Sequence, residues 1–353
     1  MNARTKPQQT PARAAIAGTK TVNLALQGGG AHGAFAWGVL DRLLEDERVA
    51  FEGVSATSAG AMNAAVLASG LTEGGREGAK RALAQFWRRV SLAATWSPLQ
   101  PTAFDRATHN HAMEHSPAFL AFDLLTRLFS PYELNPFNHN PLRDVVEESV
   151  DFERIRRGSA VRLFLGATNV RTGKVKVFQD EEITADAVMA SACLPFMFQA
   201  VEVDGEAYWD GGYMGNPNIY PLIYNCQSAD VVVVHINPLE RPEVPRTARE
   251  ILNRINEISF NSSLMREMRA IAFVTKLIDE GKVSDGSMKR MLVHAIDADA
   301  FMKTLGTTSK LNPDWEFLTH LRDVGREAAS EWLTRAYDKL GRESTVDLRA
   351  RYL

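Results

Sequence analysis

The chain has 353 residues and a mass of 39.1 kDa, with 45% hydrophobic and 24% charged residues. A chain of this kind can bury a large core, which excludes disorder throughout. Its 40 Lys and Arg against 43 Asp and Glu give a net charge of -3, so we expect no nucleic-acid partner. The two cysteines, Cys193 and Cys226, lie in no CxxC pair or Cys/His cluster. We therefore expect no disulfide framework, no metal and a reducing, cytoplasmic location.

The first 20 residues carry four basic residues and no acidic one. Their longest apolar stretch, Ala14–Ala17, is much shorter than the hydrophobic segment of a signal peptide. We predict a disordered basic tail over residues 1–20. No run of about 18 apolar residues occurs, so no membrane span is expected, although peripheral contact with a membrane surface stays open.

The order of apolar segments predicts an α/β fold. Thr21–Leu26 has the pattern of a strand, Ala34–Glu47 that of a helix and Phe51–Ala56 that of a second strand, which together indicate a parallel sheet. Helices are predicted next at Ala59–Ser69 and Gly78–Val90. Residues 91–141 are irregular and rich in proline, which favours a cap around a helix at Pro117–Phe129 with Ser116 as its N-cap.

The second half mixes hairpins, buried strands and long helices. Thr172-Gly173 and Asp204-Gly205 mark the turns of two predicted hairpins. The remaining predictions are hairpin strands at Val161–Ala167, Lys174–Phe178, Val201–Val203 and Ala207–Trp209, buried strands at Val231–Ile236 and Met291–Ile296, and helices at Thr247–Lys282 and Asp314–Leu340. A soft boundary near residue 240 separates residues 21–240 from a mainly helical extension over residues 241–353.

Ser58 is the first candidate for chemistry. It lies in Thr57-Ser58-Ala59-Gly60, between a predicted strand and a helix of small residues. A tight strand-to-helix turn exposes a serine hydroxyl at the edge of the sheet, close to the positive end of the helix. The usual pattern is G-x-S-x-G, and here Ala56 replaces the first glycine. The alternative is that Ser58 only caps the helix.

A glycine-rich loop is the second candidate. Gly28, Gly30 and Gly33 satisfy G-x-G-x-x-G directly after the first strand. The backbone N–H groups of such a loop bind either a phosphate or the oxyanion of an acyl intermediate. A dinucleotide site also requires an acidic residue at the end of the second strand, where this chain has Thr57-Ser58. The pairing of the loop with a serine turn therefore favours acyl transfer over nucleotide binding.

A nucleophilic serine requires a base. His235 and His294 lie in apolar strands and are expected to be core residues, whereas His32 follows the glycine loop and stays a candidate. No histidine occupies an evident triad loop. Asp210, which precedes Gly211 and Gly212, is the alternative base, and a turn formed by the aspartate side chain is the other interpretation of this motif.

The three motifs taken together resemble the patatin-like phospholipase family in their order and context. They are Gly28-Gly29-Gly30-Ala31-His32-Gly33, Thr57-Ser58-Ala59-Gly60-Ala61 and Asp210-Gly211-Gly212, supported by Ala190–Pro195 and Asn216-Pro217. The resemblance covers about residues 21–240. It implies a patatin-like three-layer α/β/α fold with a mainly parallel sheet. Segments such as Ser309–Trp315 are similar to a C-terminal extension of bacterial relatives, whose role the resemblance does not imply.

The resemblance also implies a serine–aspartate dyad. Ser58 would attack the acyl carbonyl, Asp210 would accept its proton, and Gly28, Gly29 and Gly30 would bind the oxyanion, with Gly33, Gly60, Gly211 and Gly212 supporting the motifs. The implied activity is hydrolysis of carboxylic esters of lipids without any cofactor. A nucleotide-binding protein and a catalytically silent scaffold with an elbow spoiled by Ala56 are the alternatives.

Apolar residues of the predicted cap and of the stretch before Asp210 are candidates for an acyl groove, although such stripes are more often core. They are Phe119, Leu120, Phe122, Leu124, Leu128, Phe129 and Leu194–Phe198. We also expect burial among Trp209, Tyr213 and Met214 to raise the pKa of Asp210. The acyl donor and the oligomeric state do not follow from the sequence.

Overall fold

A computed structural model describes residues 18–97, 102, 113, 116–283, 286–306 and 308–353, apart from the side chains of Trp96 and Arg249. The predicted basic tail of residues 1–20 therefore lies almost entirely outside the described residues. Much of the predicted cap between residues 98 and 115 also lies outside them, including His109, His111 and His115.

The first elements follow the predicted order. They are β1 (Lys20–Leu26), α1 (Gly33–Glu45), β2 (Val49–Thr57) and α2 (Ala59–Ala93). The two helices predicted after β2 form one helical run, which breaks where Gly74 and Gly75 leave helical φ/ψ angles. Glycine tolerates the positive φ of 62° at position 75, so the chain turns there without side-chain strain.

Four helices follow. Of these, α3 (Pro117–Leu128) and α4 (Pro131–Leu134) lie within the predicted cap region of residues 91–141, whereas α5 (Pro141–Ser149) begins at its last residue and α6 (Phe152–Gly158) comes after it. The predicted N-cap is confirmed, because Ser116 Oγ accepts a hydrogen bond of 3.4 Å from the backbone N–H of Phe119. Proline at the first position of α3 lacks the N–H group that a helix start leaves unpaired.

The remaining elements confirm the predicted hairpins, buried strands and long helices. The strands are β3 (Arg162–Asn169), β4 (Val175–Gln179), β5 (Val201–Val203), β6 (Glu206–Asp210), β7 (Asp230–Val234) and β8 (Leu292–Ile296). The helices are α7 (Ala185–Ser191), α8 (Tyr220–Asn225), α9 (Ala248–Asp279), α10 (Asp299–Met302), α11 (Trp315–Ala336) and α12 (Leu348–Tyr352).

The strands of the described residues form one eight-stranded, mostly parallel sheet. Its order is β5-β6-β3-β2-β1-β7-β8, with β4 paired to β3. Strands β3, β2, β1, β7 and β8 run parallel, whereas β4 and β6 run antiparallel to β3. The parallel strands all end at one edge of the sheet, which is where open α/β sheets bind their ligands.

Helices cover both faces of the sheet. Along β1 and β7 the side chains alternate: Leu24 and Val232 face one buried cluster with α1, α2 and α11, and Ala25 and Val233 face another with α8 and α9. A strand buried on both faces is apolar throughout, which explains the unbroken Val231–Val234 run. The fold is therefore a three-layer α/β/α structure, as the family resemblance implied.

The C-terminal extension packs directly on the rest of the chain. Its strand β8 continues the sheet beside β7. Helix α11 lies against α1 at two glycines, since a Cβ on Gly38 would lie 1.9 Å from the Arg322 carbonyl oxygen and a Cβ on Gly325 would lie 2.1 Å from the Phe35 carbonyl oxygen. The backbones of the two helices therefore meet with no side chain between them.

Candidate active site

The ends of β2 and β6 meet on the same edge of β3. Thr57 of β2 pairs with Gly166, and the next residue of β3, Ala167, pairs with Asp210 of β6. Strand β4 pairs with both Gly166 and Ala167, and it therefore occupies the opposite edge of β3. Since β6 runs antiparallel to β3, its last residue arrives where β2 ends. This arrangement brings Asp210 beside Ser58.

Ser58 occupies a strained turn between β2 and α2. Its backbone has φ 57° and ψ -126°, and positive φ is uncommon for a residue with a side chain. The turn leaves no room for a side chain at position 60, where a Cβ would lie 2.4 Å from the Leu26 carbonyl oxygen. Ala56, by contrast, lies within β2 and pairs with Leu26 and Leu165 without positive φ. A glycine at position 56 is therefore not required by this elbow.

The backbone of the elbow is held by Ser191 from the end of α7. The N–H of Ser58 donates to Ser191 Oγ at 2.9 Å, and Ser191 Oγ in turn donates to the Gly166 carbonyl oxygen at 2.6 Å. Ser191 is fully buried. One hydroxyl thus connects the turn that carries Ser58 to β3, the strand with which both β2 and β6 pair.

The glycine loop lies directly on Ser58. A Cβ at position 28 would lie 2.5 Å from Ser58 Cβ. The N–H of Gly28 donates to Asn216 Oδ1 at 2.6 Å, so this N–H is already used within the protein. The N–H groups of Gly29 and Gly30 donate to none of the described residues. The donors that the loop leaves for an oxyanion are therefore those of Gly29 and Gly30.

Gln27 fixes the start of the loop. Its Oε1 accepts from the N–H groups of Ile236 and Asn237 at 2.8 and 3.0 Å, and its Nε2 donates to Asn216 and Asn261. The side-chain amide is fully buried. Both of its ends are satisfied, which is the condition under which a buried polar group rigidifies a site. After the loop, Gly33 begins α1 beside the start of α2.

Asp210 is completely buried beside Ser58. Its Oδ1 accepts from the N–H of Gly212 at 2.7 Å, within the turn formed by Gly211, Gly212 and Tyr213. Its Oδ2 has no hydrogen-bond partner of standard geometry among the described residues. Burial raises the pKa of Asp210 to about 6, against opposing effects of the Ser58 hydroxyl, the Gly212 N–H and the charge of Lys310. Burial therefore shifts the pKa of Asp210 upward, which is the direction expected from the sequence.

The histidines weighed as bases have other partners. His32 Nε2 shares a hydrogen bond of 2.7 Å with Ser309 Oγ, and burial together with nearby cations holds the pKa of His32 well below its usual range. His235 bonds Tyr352, and His294 bonds Asp230 and Thr345. His235 and His294 are buried, as expected for core residues.

Residues outside the recognised motifs complete the site. Ser191, Asn216 and Asn237 each hydrogen-bond to the elbow or to the glycine loop, and Lys310 brings a positive charge from the C-terminal extension. Ser191, Asn216 and Lys310 stand in segments that the sequence singled out, but no pattern indicated their partners. These contacts join residues separated by more than 70 positions, which local spacing cannot predict.

The apolar residues of the cap are mostly exposed. Of the candidates for an acyl groove, Phe119 is buried, whereas Leu128 and Phe196 are 66% and 69% exposed. The cap is joined to the segment before β5 by hydrogen bonds from Gln199 to the Asn135 carbonyl and from the Ala200 N–H to Tyr132 Oη. Cys193, which precedes that segment in the chain, is hydrogen-bonded to Asp210: its carbonyl oxygen accepts the N–H of Asp210 at 2.7 Å.

The fold and this arrangement define an α/β protein with a serine at a strand-to-helix elbow and a buried carboxyl group beside it. A model of the patatin-like phospholipase family matches residues 24–223, which is more than half of the chain. The chain therefore belongs to the patatin-like phospholipase family, as its motifs predicted.

Two solved structures illustrate more distant likenesses. VipD from Legionella pneumophila is 16% identical, with a TM-score of 0.42 over 89% of this chain and 66% of that chain. The ExoU–SpcU complex from the type III secretion system of Pseudomonas aeruginosa is 15% identical, with a TM-score of 0.39 over 91% of this chain and 52% of that chain. This chain thus spans about two thirds and about half of those two chains. No curated protein sequence matches it.

Proposed function

We propose that this protein is a serine acyl hydrolase that cleaves carboxylic esters of lipids, with Ser58 as nucleophile and Asp210 as general base. One observation carries the proposal: the fully buried Asp210, whose Oδ2 has no hydrogen-bond partner of standard geometry among the described residues, lies beside a serine on a strained elbow. Membership of the patatin-like phospholipase family supports the lipid substrate class.

In the proposed reaction, Ser58 Oγ attacks the ester carbonyl carbon while its proton passes to Asp210 Oδ2. The negative charge on the carbonyl oxygen is stabilised by the N–H groups of Gly29 and Gly30, and a well-placed donor of this kind contributes ~3–4 kcal/mol. Collapse breaks the ester C–O bond, and the leaving alcohol takes the proton from Asp210. Water then attacks the acyl-enzyme and gives one proton to Asp210. Collapse breaks the bond between the acyl carbon and Ser58 Oγ and releases the acid, and Ser58 Oγ takes the proton back from Asp210.

The burial of Asp210 bears on its strength as a base. An exposed aspartate has a pKa of about 4 and is a weak base for an alcohol at neutral pH. Burial raises the pKa of Asp210 to about 6, so the group is a stronger base that is still mainly ionised at pH 7. The N-terminus of α2 adds a favourable dipole for negative charge on Ser58 Oγ.

The proposed substrate is an ester presented at a lipid surface. Helix α3 carries exposed apolar residues, and Phe196 is exposed in the segment that precedes β5 and Asp210; both observations support peripheral contact with lipid. In the described part of the chain no helix is long and apolar enough to cross a bilayer. Cys193 and Cys226 are both buried and unpaired, which supports the expected reducing, cytoplasmic location.

A fluorophosphonate probe tests the nucleophile directly, because it forms a covalent adduct with an activated serine. We expect an adduct on Ser58 that is absent in Ser58→Ala. Asp210→Asn keeps an oxygen for the Gly212 N–H but cannot accept the serine proton, and it should label far more slowly. An adduct that persists in Ser58→Ala would refute the assignment, and unlabelled, well-folded wild type would favour the silent scaffold.

Turnover on three substrates tests the substrate class. Wild type is compared on a short p-nitrophenyl ester, on a long-chain p-nitrophenyl ester and on phospholipid vesicles. We expect hydrolysis of the long-chain ester and the vesicles to exceed that of the short ester, and to be lost in Ser58→Ala. If Ser58-dependent turnover were seen only with the short ester, the protein would be a serine esterase, and the proposed lipid substrate class would be wrong.

A further inference from the structure

A short turn of the C-terminal extension, Thr308–Leu311, packs on the glycine loop. A Cβ on Gly30 would lie 2.3 Å from the carbonyl oxygen of Lys310, so the two backbones are in direct contact. On the same turn, Ser309 Oγ shares a hydrogen bond of 2.7 Å with His32 Nε2. The glycine loop, whose Gly29 and Gly30 N–H groups donate to none of the described residues, is therefore in contact with a turn that lies 280 residues further along the chain.

The side chain of Lys310 extends this contact into a chain of hydrogen bonds. Its Nζ donates to Asn237 Oδ1 at 2.8 Å, and Asn237 Nδ2 donates to the Gly28 carbonyl oxygen at 2.8 Å. Asn237 is buried. Because the lysine occupies the amide oxygen, it fixes which end of Asn237 faces Gly28, and so it orients the loop.

The charge of Lys310 is not neutralised by an ion pair. The charged groups that face it are Asp210 on β6, Glu257 on α9 and Arg241 after β7. Glu257 is already bound by Arg241 at 2.6 Å and by Arg254 at 3.1 Å. No carboxylate of the described residues forms a salt bridge with Lys310, so its field acts on the candidate site.

We propose that Lys310 is a positioning residue of the active site, which orients the glycine loop through Asn237 and favours the ionised form of Asp210. The inference rests on the proposed function. It assigns the C-terminal extension a part in the reaction, because the extension supplies Lys310, a cation whose charge favours the carboxylate form of the fully buried Asp210. Without that charge, less of the base is ionised at a given pH.

Protonation states give the proposal a measurable signature. Burial raises the pKa of Asp210 to about 6 and lowers the pKa of Lys310 to about 8. The wild type should therefore be most active between these values, with an acidic limb from Asp210 and an alkaline limb from Lys310. Removing the lysine charge raises the pKa of Asp210, because a nearby cation favours the carboxylate.

The experiment is the pH profile of kcat/KM on a soluble p-nitrophenyl ester for wild type, Lys310→Met and Lys310→Arg. We expect K310M to move the acidic limb to higher pH, with a loss of about two-fold near pH 6 that shrinks at higher pH. Arginine stays charged above pH 8, so K310R should keep the acidic limb and lose the alkaline one. An unmoved acidic limb in K310M would overturn the electrostatic role of Lys310, because loss of loop orientation alone lowers kcat/KM equally at every pH.

Lys289→Met is the matched control. Lys289 Nζ also donates to a buried neighbour, the Cys226 carbonyl at 2.7 Å, but it lies at the opposite edge of the sheet, beside Glu52 near the start of β2. Its loss should leave the pH profile unchanged. An equal shift in K289M would show a general effect of losing a lysine and would also overturn the proposal.

Hydrogen exchange of the peptide covering residues 27–33 gives a readout that needs no turnover. We expect faster exchange of these amides in K310M than in wild type and K289M, and unchanged exchange would remove the loop-orienting role. This readout separates the two proposals: absence of Ser58-dependent turnover in wild type refutes the acyl hydrolase, whereas exchange still tests the loop. If K310M does not fold, the alkaline limb of K310R decides the electrostatic role.

Discussion

Gly28 and Ser58 are in contact with no space for a methyl group between them. A Cβ at position 28 would lie 2.5 Å from Ser58 Cβ and 2.9 Å from the Thr57 carbonyl oxygen. Neither atom is the flexible end of a side chain, since one is fixed to the elbow and the other belongs to β2. The separation of the glycine loop from Ser58 is thus set by the absence of a side chain at position 28.

Gly28→Ala should therefore displace the loop from Ser58. We expect kcat to fall by about 10²-fold or more, the size of effect seen when one oxyanion donor is misplaced. The rate of fluorophosphonate labelling and the turnover of a p-nitrophenyl ester measure it, and circular dichroism checks that the fold is kept. Wild-type turnover in folded G28A would contradict the assigned loop geometry.

Ser191→Ala removes the hydroxyl that joins the elbow to β3. It leaves the Ser58 N–H and the Gly166 carbonyl without their buried partner, which costs ~1–3 kcal/mol. We expect lower stability in urea denaturation and slower labelling of Ser58. Ser263→Ala is the matched control, because Ser263 is also buried but its Oγ forms no hydrogen bond with any residue that the structure describes. A stability loss in S263A as large as in S191A would contradict this explanation.

Glu267→Gln tests a pH-dependent term in stability. Glu267 Oε2 accepts the N–H groups of Ile219 and Tyr220 at 2.7 and 2.8 Å, and burial raises the pKa of Glu267 to about 7. A raised acid pKa means that the folded state binds the proton more tightly, so stability is greatest below pH ~4.5 and is lost as pH rises to about 7.

Glutamine carries no such charge, so the stability of E267Q relative to wild type should increase between pH 5 and pH 8, by at most ~3 kcal/mol. Urea denaturation of both proteins across this pH range measures the difference. Glu77→Gln on the exposed surface of α2 controls for the loss of one negative charge. A difference that stays constant with pH would show that Glu267 does not titrate in this window.

Gly38→Ala tests the contact between α1 and α11. In an exposed helix this substitution stabilises by about 1 kcal/mol, because alanine has the higher helix propensity. Here the added Cβ would lie 1.9 Å from the Arg322 carbonyl oxygen, and overpacking of this kind costs ~1–3 kcal/mol. We expect net destabilisation by thermal unfolding. Gly158→Ala on α6, where no atom of the described residues lies within 4 Å of the added Cβ, should be neutral to slightly stabilising, and a stabilised G38A would contradict the packing.

The sequence alone determined the order of the main helices and strands and the family. Period-2 and period-3.6 patterns predicted β1, α1, β2 and the two hairpins within a few residues, because burial on defined faces imposes these periods locally. The three motifs predicted the family that the comparison shows. Local patterns also explain why Ser116 begins α3, since an N-cap uses groups only three residues apart.

Only the tertiary structure decided what lies around Ser58. That β6 meets β2 end to end on β3 depends on strand register, which the sequence of neither strand contains. The structure likewise shows that the positive φ of the elbow falls on Ser58 and not on Ala56, so alanine at position 56 is compatible with the turn. Gly28 uses its N–H on Asn216, and Lys310 reaches the loop from the far end of the chain. These contacts depend on how distant segments pack, and packing is a property of the whole fold, whereas periodicity is a property of each segment.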